Sequence, residues 1–180
     1  MPKNDNAHAL RFAESLCTYA GAEAAAQFAE AHPLSKSATV DKKFQWAAEV
    51  CQYLDENFDP KTRQDIRKSC LCNNGKSNAR KMSVYLKQTN SIREFVDAFN
   101  HNESFASLEY ISENKILFCY PECYCACVKR AEGTLPITWC YCTIGNAEGI
   151  FQELLQKEVS ITLLESIKNG GERCVMEVEW

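Results

Sequence analysis

Histidine is scarce in this chain. There are three in 180 residues, at positions 8, 32 and 101 near the ends of expected elements, so a histidine ligand set or a protease-like cysteine–histidine pair has little to draw on. No hydrophobic run is as long as a membrane span, and Met1 to Leu10 is too polar for a signal peptide. Positive charge is not in excess either: a net charge of −4 and a pI near 5.5 argue against a general nucleic-acid binder. Internal repeats, low-complexity stretches and a long linker are missing. These absences predict a cytoplasmic protein with neither membrane nor nucleic-acid partner.

What the chain does have is cysteine. Eleven cysteines without an export signal suit a reducing compartment, where thiols stay free or bind metal. Six of them, Cys119, Cys123, Cys125, Cys127, Cys140 and Cys142, fall within one short stretch. Otherwise the composition is that of a globular domain, with 46% apolar and 24% charged residues.

Cys119, Cys123, Cys125 and Cys127 alternate along the chain, as residues sharing one face of a strand do. Ala131-Glu132-Gly133-Thr134 signals a turn, and Leu135 to Thr143 is again β-branched and aromatic. A hairpin closed there sets Cys125 opposite Cys140 and Cys123 opposite Cys142, with opposed Cβ atoms roughly 4.5–5.5 Å apart. Three readings fit that rectangle of thiols. They pack as inert buried side chains, they bind a thiophilic metal, or they close reducible cross-strand disulfides. The spacing differs from a zinc ribbon, so the metal reading rests on convergence across the hairpin.

Before this stretch the chain reads as helical. Asn6 to Ala31 and Val40 to Asn57 carry apolar stripes, and Cys17 and Cys51 fall on them as packing residues. Asp59-Pro60 is an N-cap followed by proline at the first helical position, opening a helix to about Ser69. Cys70 and Cys72 stand at its end, before a break at Asn73-Asn74-Gly75. They read equally as accessible ligand or redox thiols and as half-buried side chains of a helix end. Lys76, Arg80 and Lys81 follow, either as a solvated face or as charges able to lower a thiol pKa. A helix over Asn78 to Lys87 precedes a capping box at Ser91 to Glu94, which opens a helix to Asn100.

Strands are expected over Phe105–Ser112, Lys115–Val128 and Leu135–Thr143, then a helix over 146–157. Asn169-Gly170 closes a final hairpin that sets Ile161 opposite Val178, Leu163 opposite Met176 and Glu165 opposite Cys174. Glu165 then occupies an apolar register position, either at the sheet edge near water or in a pocket that raises its pKa. The expected fold is α+β: one domain over 1–180, with a helical half (1–101) packed on an antiparallel sheet of about five strands with one inserted helix (102–180).

The run from Tyr141 through Gly145, Gly149-Ile150-Phe151, Leu163-Leu164-Glu165-Ser166 and Gly170-Gly171-Glu172-Arg173-Cys174 resembles the 4-vinyl-reductase-like ligand-binding domains. Their superfold also serves nitric-oxide signalling and Golgi transport. The L-2-amino-thiazoline-4-carboxylic-acid-hydrolase-like family has a similar ending. Within this group, Cys123-x-Cys125-x-Cys127 with Trp139-Cys140-Tyr141-Cys142 looks like a cysteine-rich bacterial family without an established function. The resemblance covers residues 105–180 and implies a small-molecule pocket.

These readings predict a sensor-like domain that binds a metal or a small-molecule ligand through Cys123, Cys125, Cys140 and Cys142. Cys127, Cys70 and Cys72 are additional ligands. Zinc or iron is expected ahead of an iron–sulfur cluster, and a homodimer is compatible with this. One alternative is a metal- or thiol-dependent hydrolase of a small cyclic amide-like substrate, with Glu165 and Cys174 as catalytic candidates. A thiol redox switch is the other.

Overall fold

The computed structural model describes residues 4–73 and 75–180. Asn74 of the expected chain break and the first three residues of the polar start lie outside the described residues. The fold is α+β, with seven α-helices and one four-stranded antiparallel sheet among the described residues. It divides into two compact units: Met1–Cys72 with Tyr124–Cys142, and Asn73–Cys123 with Thr143–Trp180.

The first unit holds α1 (Ala7–Ala20), α2 (Ala22–Ala31), α3 (Val40–Asn57) and α4 (Pro60–Ser69). The single helix expected over Asn6 to Ala31 is two, because Gly21 adopts φ +90° and its N–H closes α1 on the Cys17 carbonyl. Asp59 caps α4 as its sequence predicts, accepting from the N–H groups of Lys61 and Thr62. The core is aromatic: Phe12 meets Phe28 at 4.9 Å and Trp46 at 6.1 Å, and Trp46 meets Trp139 edge-on at 6.1 Å. Cys51 is buried in this core, whereas Cys17, expected to pack, is exposed.

The cysteine-rich stretch departs most from expectation. The second sheet strand ends at Tyr120, and no strand covers 121–143. Pro121 has no N–H to give a ladder, so pairing stops there. Residues 125–131 form tight turns, with the N–H groups of Val128 and Lys129 both bonded to the Cys125 carbonyl. Pro136 opens a 3-10 turn over Ile137–Tyr141 that packs on α3 and α4. Trp139 is buried as an aromatic anchor rather than placed on a strand face. Tertiary packing has overridden local β preference. The hairpin that opposed Cys125 to Cys140 and Cys123 to Cys142 is therefore absent, and the sheet has four strands rather than about five.

The second unit holds α5 (Lys76–Leu86), α6 (Ile92–Asn102), β1 (Ser107–Ser112), β2 (Lys115–Tyr120), α7 (Cys142–Leu155) beyond its first residue, β3 (Ser160–Glu165) and β4 (Cys174–Glu179), in sheet order β1-β2-β4-β3. Helix α7 starts at Cys142, earlier than the expected 146, and contributes Phe151 against Phe118 at 5.3 Å. Ser91 caps α6 by accepting from the Glu94 N–H. Gly75 adopts φ +71°, and a Cβ there would lie 2.5 Å from Ile150 Cγ1 and 2.9 Å from the Ile150 nitrogen, so only glycine admits this approach to α7. In the last hairpin Ile161 opposes Val178 and Leu163 opposes Met176, as the alternation predicts. A bulge then moves Glu165 opposite Val175 instead of Cys174.

Candidate thiol centre

Helix α4 sets the centre of the first unit. Its inward stripe, Arg63, Ile66, Arg67 and Cys70, follows helical spacing but mixes charge with apolar side chains. Arg67 is 4% exposed. Its Nη2 donates to the Trp139 carbonyl at 2.6 Å, and its guanidinium lies 4.3 Å from the centre of the Trp139 ring. Its Nε has no hydrogen-bond partner, and among the described residues no carboxylate pairs with it. The nearby Asp55 is committed to Arg63 at 3.0 Å and to the Thr138 hydroxyl at 2.9 Å.

Several thiols are electrostatic neighbours of this cation. Burial opposes the charge of Arg67, while its electrostatic neighbours Cys70, Cys142, Cys51 and Cys125 favour it, and the balance raises its pKa. The S–H of Cys142 points at the same Trp139 carbonyl, at 3.8 Å, so thiol and guanidinium share one acceptor. Cys70 donates to the Ile66 carbonyl at 3.3 Å, and Cys127 lies 3.9 Å from the Lys43 carbonyl. Cys142 has Cys125, Cys72 and Cys70 in its electrostatic neighbourhood, and Cys127 has Cys125 and Cys72. The thiols of Cys51, Cys127 and Cys142 are each pushed up to about 12, burial being the largest cause and Arg67 an opposing one.

At the surface of the centre, Arg11 Nη2 donates to His8 Nδ1 at 3.2 Å and to Cys72 Sγ at 3.5 Å. His8 Nδ1 is 3.9 Å from the same sulfur. Burial, then the charges of Arg11, Arg67 and Lys43, lower the His8 pKa to about 4, so its ring is neutral near pH 7. With Nδ1 accepting from Arg11, the ring proton sits on Nε2.

Cys70, Cys72, Cys125, Cys127 and Cys142 all lie in the first unit and have Arg67 as an electrostatic neighbour; of these only Cys125 and Cys142 belong to the principal set read from the sequence. Cys140 is buried in the 3-10 turn, and Cys123 falls in the second unit. Among the described residues, no group of three or more His, Cys, Asp or Glu side chains is arranged to hold a metal ion. Sequence reasoning missed Arg67, Arg11 and His8. The signal was the α4 stripe, where arginine occupies an inward position beside Ile66 and Cys70.

The catalytic candidates Glu165 and Cys174 both lie in the second unit. Glu165 Oε1 accepts from the N–H groups of Glu172 at 2.7 Å and Arg173 at 3.1 Å, pinning the β3–β4 connection. A Cβ on Gly171 would fall 2.5 Å from Glu165 Cγ, which explains the glycine in that turn. Cys174 is buried on β4, paired with Tyr120. Cys119 lies 3.8 Å from Glu109 Oε1, which also bonds Arg173, and burial pushes its thiol up to about 11.

The fold and this centre define an α+β protein with a cysteine-lined, cation-containing helical unit. The chain belongs to the family of unknown function DUF6144, which matches it over residues 11–179. That family is distinct from the 4-vinyl-reductase-like domains its closing motif resembles. No curated protein matches. Among solved structures, an H-NOX protein from S. oneidensis in its Fe(II)NO ligation state is 15% identical, with 97% of this chain and 98% of that one covered at a TM-score of 0.46. A single-residue mutant of an H-NOX domain from Shewanella oneidensis in the Fe(II)CO state is 13% identical, with 97% of each chain covered and a TM-score of 0.46. A variant of the H-NOX designated Tt is 11% identical, with 97% and 94% covered and a TM-score of 0.46. These likenesses are remote. No described helix is long and apolar enough to cross a membrane.

Proposed function

We propose that this protein is a sensor-like binding domain that takes up a thiophilic metal ion at the cysteines around Arg67. One observation carries the reading: Cys70, Cys72, Cys125, Cys127 and Cys142, from separate segments, share the electrostatic surroundings of a buried arginine that has no carboxylate partner. A buried cation without a counter-ion is costly, and thiolates formed on binding would offset it. Soft sulfur ligands suit zinc, copper(I) and related ions, and binding them releases the thiol protons. A reducing cytoplasm fits a site that depends on reduced sulfur.

The test is alkylation of the native protein with iodoacetamide, read at each cysteine by mass spectrometry, with and without zinc or copper(I). The expected result is that metal slows labelling of Cys72, Cys125 and Cys142 at least tenfold while the exposed Cys17 labels unchanged. Equal labelling with and without either metal would overturn the proposal.

A further inference from the structure

We infer that the metal-free protein holds one small, weakly hydrated monovalent anion of the halide class at the contact between Arg67 and Trp139. Among the described residues, four buried side-chain nitrogens lack a hydrogen-bond partner: Arg11 Nε, Arg63 Nε, Arg67 Nε and Trp139 Nε1. All four are N–H donors and all lie in the first unit, so the interior of that unit is short of acceptors. A buried donor left dry is costly, and each one calls for an acceptor.

Two of the four belong to side chains in direct contact. The guanidinium carbon of Arg67 lies 4.3 Å from the centre of the Trp139 ring, and Arg67 Nη2 donates to the Trp139 carbonyl at 2.6 Å. Nε is bonded to that carbon and Nε1 is a member of that indole, so both orphaned N–H groups flank one contact. Arg67 is 4% exposed and Trp139 1%. With Nη2 held on the carbonyl, the guanidinium cannot swing Nε out to water.

Charge decides what kind of acceptor belongs there. A water would satisfy the N–H groups but leave the cation uncompensated. Asp55 is spent on Arg63 and on the Thr138 hydroxyl. The Cys142 thiol faces the Trp139 carbonyl as a donor, at 3.8 Å, and so adds no acceptor. One monovalent anion cancels one guanidinium, whereas a divalent ion would bury an excess charge. A weakly hydrated ion loses least on leaving water. A single-atom ion also brings no further oxygens that would need partners of their own. Thiolates formed on metal binding would supply the same negative charge, so the anion is the counter-ion of the metal-free state.

The experiment is a bromide titration of the whole, reduced, metal-free protein, with fluoride as the balancing salt at constant ionic strength. It is read by NMR on the indole N–H signals, and Trp139→Phe assigns the one that matters. The Trp139 signal should shift and saturate with bromide. That of Trp46, whose Nε1 donates to the His32 carbonyl at 2.9 Å, should stay in place. Arg67→Met should weaken bromide binding at least tenfold, with the other indole signals showing that the variant is folded. Should Arg67→Met not fold, the native titration still decides. A Trp139 signal that bromide leaves unmoved, one that drifts without saturating, or equal saturation in folded Arg67→Met would overturn the inference. No metal enters these solutions, so failure here leaves the metal reading standing, and failure of the metal reading leaves this one standing.

Discussion

Two arginines in this chain face opposite circumstances. Arg173, in the second unit, meets Glu109 at 2.5 Å with both side chains 42% exposed, and Glu165 pins the turn beside it. Arg67, in the first unit, is buried, has no carboxylate partner and has thiols as its electrostatic neighbours. At the surface a carboxylate is an easy partner and the pair is worth little, because water screens it. In the interior, a cation left beside neutral thiols needs another source of negative charge. The contrast singles out the proposed centre better than cysteine content does, since Cys119 and Cys174 lie in the second unit.

The contrast can be sharpened by variants. The largest effect is expected from Trp139→Ala, which empties the buried site under Arg67 and removes the edge contact with Trp46. It should cost about 4 kcal/mol in denaturant unfolding. Next comes pH. His8 has a folded pKa of about 4, set by burial and by Arg11, Arg67 and Lys43, against about 6.5 when unfolded. The unfolded chain therefore binds the extra proton between these values. Stability falls as pH drops from about 6.5 to about 4 and is level above, by about 1–2 kcal/mol once the half-exposed ring is discounted for screening. His8→Gln should flatten that slope.

Smaller again, Glu165→Ala frees two turn N–H groups and should cost about 1 kcal/mol without altering metal protection of Cys142. The smallest effect belongs to Glu109→Ala, about 0.5 kcal/mol or less. A Glu109 effect as large as that of Trp139 would erase the distinction between the two regions.

Much of the fold was legible because its determinants are local. Asp59-Pro60 opens α4, Ser91 caps α6, and the alternation of Ile161, Leu163, Met176 and Val178 sets their register. The bulge that displaced Glu165 was not legible, since the turn that needs its carboxylate is built from Gly171 to Arg173. The cysteine stretch misled for a physical reason. Its alternation has the period of a strand, but Pro121 and Pro136 block the ladder and Trp139 finds a deeper burial site among helices. The cysteines that neighbour Arg67 electrostatically come from distant segments rather than from the two strands of a hairpin. No spacing rule along the chain encodes that.

The most direct measurement is elemental analysis with a thiol count on protein purified anaerobically without chelator, beside the Cys125→Ser/Cys142→Ser double variant. The account predicts about one thiophilic metal per chain in the native protein and less than a tenth of that in the variant. Native protein that stays metal-free after incubation with zinc or copper(I), with every thiol titrating on unfolding, would contradict it.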